Sequence, residues 1–334
     1  MALVSLGDMA QSFMLRRQTV MLKSDLQRLS SELTTGRVVD IAARVSGDLV
    51  PVSGIDASLA RLKAFGAVTA EAGLFAGSAQ SALGVIDDVS SDLSRTLLAA
   101  NSSASQASVD NAGREGRSRL DNAISALNTR VGDRSLFGGV ATNGPATASA
   151  ETLLLALDAA IVGAVTAQDV ETAVSAWFAA PTGYAATMYT GGPSLAPLTV
   201  APGDEVKLDI TATDPAIIST LKGLALAALL DRGALSGQPV MRQDLAKRAG
   251  ISLLESQTSR TYLAARLGSA QAQIDTAASR NAAEATSLQI ARLEITAADP
   301  FETASKLQET QQQLEKIYAI TARITRLSLM DFLR

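Results

Sequence analysis

The sequence lacks two of the residue types on which much enzyme chemistry depends. Among its 334 residues there is no histidine and no cysteine. This excludes a Ser-His-Asp or Cys-His catalytic arrangement, a thiolate nucleophile and metal sites built from His or Cys, and it also excludes a disulfide framework. Carboxylate and lysine catalysis need neither residue, so the composition disfavours an enzyme without excluding one.

Long apolar segments, basic clusters and nucleotide-binding motifs are missing as well. The apolar runs Leu153–Leu157 and Leu224–Leu230 are far too short to span a bilayer, so no membrane association is predicted. Met1–Gly7 has neither the basic region nor the apolar core of a cleaved signal peptide. Neither end carries the basic cluster of a nucleic-acid-binding surface, and no phosphate-binding loop is present. We therefore predict no nucleic-acid partner, no metal and no cofactor, and retention in the cytoplasm unless a dedicated route exports the chain.

The residues that are abundant favour long helices. Apolar residues make up 47% of the chain and aromatic residues only 4%, so alanine and leucine supply most of the apolar content. Seven of the nine prolines fall between Pro145 and Pro239, which leaves Val52–Gly144 and Val240–Asp299 free to form long helices. The proline-rich middle has strand-like alternation and short helical patterns. The predicted strands are Tyr184–Thr190 and Leu198–Thr213, and the predicted short helices are Glu151–Val165, Asp169–Ala179 and Pro215–Leu230.

Both ends of the chain carry apolar residues at coiled-coil spacing, in steps of three and four. The first pattern stops at Gly36, a residue typical just past a helix end. The last helix has a clear start, because Asp299 can cap it, Pro300 takes its first position and Glu302 its third, as in a capping box. Each stripe needs a partner, so we predict that the terminal helices pair with each other and with neighbouring copies. The predicted assembly residues are Leu15, Leu22, Leu26, Leu29, Leu33, Leu307, Leu314, Ile317, Ile320, Ile324, Leu327 and Phe332.

Two further patterns lie in the long helical stretches. An apolar seam runs from Leu263 to Ile295, interrupted at Asn281 and Glu284. In the predicted helix Ile55–Ala100, four glycines fall within about 40° of one another around the helix axis. Glycine inside a helix costs about 1 kcal/mol relative to alanine, so we predict a groove for close helix packing, with a tolerated run of small residues as the alternative. The four are Gly66, Gly73, Gly77 and Gly84.

Together these patterns predict a mainly α fold, in which a long helical coiled-coil rod carries a small α+β domain inserted in the middle of the chain. We expect three domains, two of them discontinuous. Residues 1–46 with 299–334 form a terminal coiled-coil assembly domain. Residues 47–140 with 240–298 form a long-helix rod domain, and residues 141–239 form an inserted outer α+β domain.

Three short segments resemble a known family. Leu29–Val38, with the sequence LSSELTTGRV, is similar to the flagellin motif in which the N-terminal helix ends at a Thr-Gly-basic step. Arg134–Ala146, with the sequence RSLFGGVATNGPA, is similar to a segment of hook–filament junction proteins, also called hook-associated protein 3. Arg326–Arg334 resembles the C-termini of both groups. Flagellins usually follow the Thr-Gly-basic step with Ala-Asp-Asp-Ala-Ala-Gly, and this chain has a different stretch at Asp40–Gly47, which favours the junction proteins.

The resemblance implies a flagellin-like architecture, with the paired termini innermost and the middle of the chain pointing outward. It implies a structural, non-enzymatic subunit that leaves the cell through the flagellar type III apparatus without a cleaved signal and joins hook to filament outside the cell. The implied partners are further copies of itself in a ring or tube, the adjoining hook-associated protein 1, flagellin and an export chaperone. Flagellin itself is the alternative, and an enzyme carried in the inserted domain is a more remote one.

Overall fold

The computed structural model describes the backbone of residues 6–102 and 105–332 and the side chains of residues 9–100 and 105–326. Within these residues the chain is mainly helical, as predicted, with two small antiparallel two-stranded sheets, β1 with β2 and β3 with β4. In chain order the elements are α1 (Leu6–Thr35), α2 (Ile41–Arg44), α3 (Val50–Ser102), α4 (Gln106–Leu127), β1 (Arg130–Val131), β2 (Arg134–Ser135), α5 (Ala150–Ala160), α6 (Ala167–Ala179), α7 (Tyr184–Thr187), β3 (Leu198–Ala201), β4 (Asp204–Val206), α8 (Pro215–Asp231), α9 (Pro239–Thr296) and α10 (Pro300–Phe332).

The chain divides into two compact units. The first contains Met1–Lys63 and Ala283–Arg334, and the second contains Ala64–Ala282. The boundaries fall inside α3 and α9, so each unit receives a part of both helices. The finer division into three domains stays a prediction.

In the first unit, α1 and α10 pack against each other. They run antiparallel, because the end of α1 adjoins the start of α10, where Arg37 forms an isolated antiparallel bridge with Ala297. Near the middle of both helices, Lys23 Nζ lies 5.9 Å from the ring centroid of Tyr318. The predicted pairing of the terminal helices within one chain is therefore formed.

The predicted boundaries of these two helices are confirmed. α1 ends immediately before Gly36, whose φ of +67° is the left-handed conformation that glycine adopts readily. At the start of α10, Asp299 Oδ1 accepts hydrogen bonds from the backbone N–H groups of Phe301 (2.8 Å) and Glu302 (3.1 Å). The Glu302 carboxylate pairs with Lys306 Nζ at 2.6 Å, one turn further along the helix.

In the second unit, α8 is the central helix. It is apolar on almost every side and buried along most of its length, as a helix with no polar face must be. α4 approaches it most closely at two glycines: a Cβ added at Gly116 would lie 2.7 Å from Ala227 Cβ, and one added at Gly113 would lie 2.9 Å from the Asp231 nitrogen. The largest fully buried side chains of this unit include Leu93, Leu97, Leu120, Leu127, Leu153, Leu154, Leu157 and, on α8 itself, Ile217.

The prediction for the middle of the chain was right for the helices and partly wrong for the strands. The short helices form as α5, α6 and α8. The predicted strand Tyr184–Thr190 is wrong, because its first four residues form the single turn α7. Tyr184 and Met188 are both fully buried and lie four residues apart, which suits a helical turn better than a strand. The predicted strand Leu198–Thr213 is right only over its first half, where β3 and β4 form a hairpin around Gly203 (φ +78°).

Asn281, which interrupts the apolar seam of α9, attaches this hairpin to the helix. Its side chain is buried, and its Nδ2 donates a hydrogen bond to the carbonyl oxygen of Val200 on β3 at 2.8 Å. A buried carbonyl oxygen without a hydrogen-bond donor destabilises the fold, because the free energy of removing it from water is no longer offset by a hydrogen bond. The polar residue in the seam is therefore a specific contact rather than a defect.

We expect Asn281→Leu to destabilise the second unit by about 1–2 kcal/mol, because it leaves the Val200 carbonyl without this donor. Equilibrium unfolding in urea measures the change. The neighbouring Arg280 provides the control: it pairs with Asp204, but both side chains are about half exposed, and such surface pairs contribute about 0–1 kcal/mol. An unchanged urea midpoint for Asn281→Leu, or an equal loss for Arg280→Ala, would contradict this role.

Candidate assembly interface

The predicted assembly residues lie on α1 and α10, two helices that pack against each other. Leu29 on α1 and Ile317 on α10 are buried. The steps of three and four therefore describe a seam that already closes inside one chain. The other seam residues are half-buried: Leu15, Leu22, Leu26, Leu307, Leu314 and Ile324.

Two predicted residues lie outside this seam. Leu33 is 41% exposed, because the chain turns back after Gly36 and covers the neighbouring Glu32 instead. Ile320 is 49% exposed. The half-buried positions Leu307 and Leu314 are seven residues apart, and the next position in that series is 321, one residue beyond Ile320. The side chains of Leu327 and Phe332 lie outside the described residues. The assembly role of the whole set stays a prediction.

α1 also exposes apolar side chains that the seam does not use. Phe13 is 68% exposed although it is aromatic, and four other large apolar residues of α1 are at least half exposed. Exposed apolar surface of this kind marks contacts with another molecule. The seven-residue spacing of two pairs, Phe13 with Val20 and Met14 with Met21, is visible in the sequence and could have revealed it. With Ile320 of α10, these residues form what we term the exposed apolar set: Met9, Phe13, Met14, Val20, Met21 and Ile320.

The four glycines predicted to form a groove make only loose contacts within the second unit. A Cβ added at Gly73 would lie 3.9 Å from Ile274 Cγ2, and one at Gly77 would lie 3.9 Å from Gln271 Nε2, both ordinary contact distances to α9. At Gly66 and Gly84, no described atom comes within 4 Å of such a Cβ. Close helix packing at these four positions stays a prediction; among the described residues, close approaches occur at glycines of other helices, notably Gly113 and Gly116 of α4.

Arginine–carboxylate pairs connect the helices of the second unit. Arg117 Nη2 lies 2.6 Å from Glu151 Oε2, and Arg232 binds both Glu151 Oε1 (2.7 Å) and Asp158 Oδ2 (2.6 Å). Hydrogen bonds from Arg117 and then Arg232 hold the pKa of Glu151 below its usual range. The network joins α4, α5 and the end of α8, so its role is structural.

The charged groups with the least exposure are also structural. Arg260 of α9 is buried and binds Asp87 Oδ1 (2.7 Å) and the Leu253 carbonyl oxygen (3.2 Å).

Among the described residues, no group of three or more carboxylates is placed to hold a metal ion. None of the helices in the described ranges is long and apolar enough to cross a membrane.

The Leu-Phe-Gly-Gly segment within Arg134–Ala146 forms a tight joint in the second unit. Phe137 is fully buried. Gly139 has a φ of +59°, and a Cβ there would lie 2.2 Å from the carbonyl oxygen of Pro193, so glycine is required. The N–H of Val140 donates to the same carbonyl oxygen at 2.9 Å. The segment therefore joins the start of the middle region to residues more than fifty positions further along the chain.

Comparison with known proteins agrees with the resemblance seen in the sequence. Residues 254–333 match the family described as the bacterial flagellin C-terminal helical region, which here corresponds to the later part of α9 and the whole of α10. No curated protein matches the chain in sequence.

A solved structure supports the same fold. It is the structure of a putative flagellar hook-associated protein from Vibrio parahaemolyticus, with a TM-score of 0.53 and 12% sequence identity. The match covers 72% of this chain and 94% of that one. The chain thus has a mainly α, flagellin-like fold, and its C-terminal helices match the C-terminal helical region of bacterial flagellin.

Proposed function

We propose that the chain is a hook-associated subunit that joins the hook to the filament. The observation that carries the proposal is the Leu-Phe-Gly-Gly segment, which resembles that of junction proteins and whose second glycine is required by its backbone conformation and close contact. The solved protein with a similar fold, itself described as a putative flagellar hook-associated protein, supports the same choice.

In this proposal the three predicted domains have separate tasks. Residues 1–46 with 299–334 form the assembly domain, residues 47–140 with 240–298 form the rod, and residues 141–239 point outward. The seam between α1 and α10 builds each subunit. The exposed apolar set then contacts further copies of the chain, because it has no cover among the described residues.

The ring of subunits would meet hook-associated protein 1 on one side and flagellin on the other. Before assembly, the exposed apolar set needs protection from unspecific association, so an export chaperone is a further proposed partner. We infer export through the flagellar type III apparatus, without a cleaved signal peptide.

The alternative is that the chain is the filament subunit, which the match to the flagellin C-terminal region favours. A deletion strain distinguishes the two roles. A missing junction protein should leave hooks without filaments while flagellin accumulates in the medium, because the filament subunit is still exported but has no base on which to assemble. Supplying the chain from a plasmid should restore filaments.

If the chain is flagellin, the same deletion leaves hooks without filaments and no filament subunit in the medium. Filaments of normal length in the deletion strain would contradict both roles. Immunoblots of the medium with antibodies against filament protein, together with electron microscopy of the cells, give the result.

A further inference from the structure

Glu32 is a buried carboxylate in the last turn of α1. Only 4% of its surface is exposed. Its Oε1 accepts a hydrogen bond from the backbone N–H of Val39 at 3.0 Å, and Arg28 Nη1 lies 3.3 Å from each carboxylate oxygen. A buried charge is costly unless it is paired and hydrogen-bonded, so these contacts are what allow a carboxylate at this place.

Val39, which Glu32 holds, belongs to the turn that follows α1 and leads to α2. The N–H of Gly36 donates to the Glu32 carbonyl oxygen at 2.8 Å and ends the helix. Beyond it, the Gly36 carbonyl oxygen accepts from the Ala298 N–H at 3.0 Å, and the Val38 N–H donates to the Thr296 carbonyl oxygen at 2.9 Å. The turn after α1 is therefore bonded to the linker that directly precedes α10.

The apolar seam does not fix how α1 lies along α10. Its residues recur with a seven-residue period, so a shift of one heptad, roughly 10 Å along the helix, again brings apolar residues together. The bonds between the turn and the linker form in one register only, because they join fixed residues next to the helix ends. In coiled coils, a single buried polar residue often selects the register in this way.

We propose that Glu32 is the positioning residue that sets the register of α1 against α10. It acts through the turn: by accepting the Val39 N–H, its carboxylate holds the turn in the shape that bonds to the linker. The proposal concerns pairing within one chain and does not depend on where in the flagellum the subunit lies.

Chemical cross-linking can read the register directly, because the chain has no cysteine of its own. Cysteines at Lys23 and Tyr318, which are in contact, report the observed register. Cysteines at Lys23 and either Gln311 or Thr325 report shifts of seven residues. With a short bis-maleimide on the full chain, we expect the first pair to link roughly tenfold more than the other two. Glu32→Leu should reduce this preference to roughly twofold or less, whereas Glu32→Gln, which keeps an acceptor oxygen, should retain it.

Glu309→Leu is the matched control, because it makes the same chemical change at an exposed position of α10 and should keep the preference of the parent. The proposal is overturned if Glu32→Leu keeps the preference, or if Glu32→Gln loses it equally. It is also overturned if the parent shows no preference or no linked product. Loss of all linked products in Glu32→Leu would also overturn it, because the residue would then be needed for the two helices to pair at all and not for their register.

Discussion

Replacing Ile320 with aspartate should abolish incorporation of the subunit into the flagellum and leave the melting temperature of the free chain unchanged. Ile320 is 49% exposed, so the free chain already leaves much of this side chain in water. Fully burying such a side chain is worth about 1.5–3 kcal/mol, and the gain recurs at every symmetry-related contact. A carboxylate at the same place would be buried without a partner, which costs more than the lost contact alone.

Two variants make this experiment specific. Ile320→Val removes one methylene group and should be incorporated normally. Ile317→Asp changes a residue buried in the seam, so it should weaken the terminal helices even in the free chain. Calorimetry on the purified chain and filament attachment in cells that make only the variant give the two readouts. Normal attachment by Ile320→Asp, or a loss of monomer stability as large as that of Ile317→Asp, would show that Ile320 does not lie in an assembly surface.

Gly116→Ala should destabilise the second unit by about 3 kcal/mol, although alanine is the better helix former. The added Cβ would lie 2.7 Å from Ala227 Cβ and 2.9 Å from the Ala227 carbonyl carbon, so α4 and α8 would have to separate. Overpacking of this kind typically costs about 1–3 kcal/mol, and here the opposing atoms include backbone, which cannot rotate away. Urea unfolding followed by circular dichroism measures the loss.

The same substitution at Gly84 should change the free energy of unfolding in the opposite direction. No described atom lies within 4 Å of a Cβ built there, so Gly84→Ala should stabilise α3 by up to about 1 kcal/mol in the free chain. If both variants are destabilised, or if Gly116→Ala is neutral, the close contact between α4 and α8 is not the reason for the glycine.

Sequence patterns identified the helices well, because proline, glycine and capping residues act locally. Pro300 preceded by Asp299 marked the start of α10, and Gly36 marked the end of α1. The strand predicted from Tyr184 failed for a different reason: an alternating pattern seven residues long also fits one helical turn, and tertiary burial of the tyrosine decided between them.

The spacing of glycines predicted helix contacts less well than the spacing of apolar residues did. The four glycines of α3 share one face, as their spacing requires, but spacing does not reveal what lies opposite. The close approach occurs at Gly113 and Gly116, and it depends on the small Ala227 of a helix more than one hundred residues away in sequence. Such a contact becomes visible only in the folded chain.

Polar residues in the apolar seams proved to be informative positions. Asn281 appeared to be a flaw in the pattern, and it binds the hairpin through the Val200 carbonyl. The apolar spacing predicts Leu33 as the interface residue, whereas its neighbour Glu32 is the one that is buried. In both cases the partner is a backbone group of a turn or strand, which hydrophobic periodicity does not register.

The position of the subunit in intact flagella tests the proposed function most directly. Antibodies raised against residues 141–239, the region proposed to point outward, can be applied to isolated flagella and located with gold particles by electron microscopy. The junction role predicts one discrete band at the distal end of the hook. Labelling along the whole filament would contradict it and identify the chain as the filament subunit.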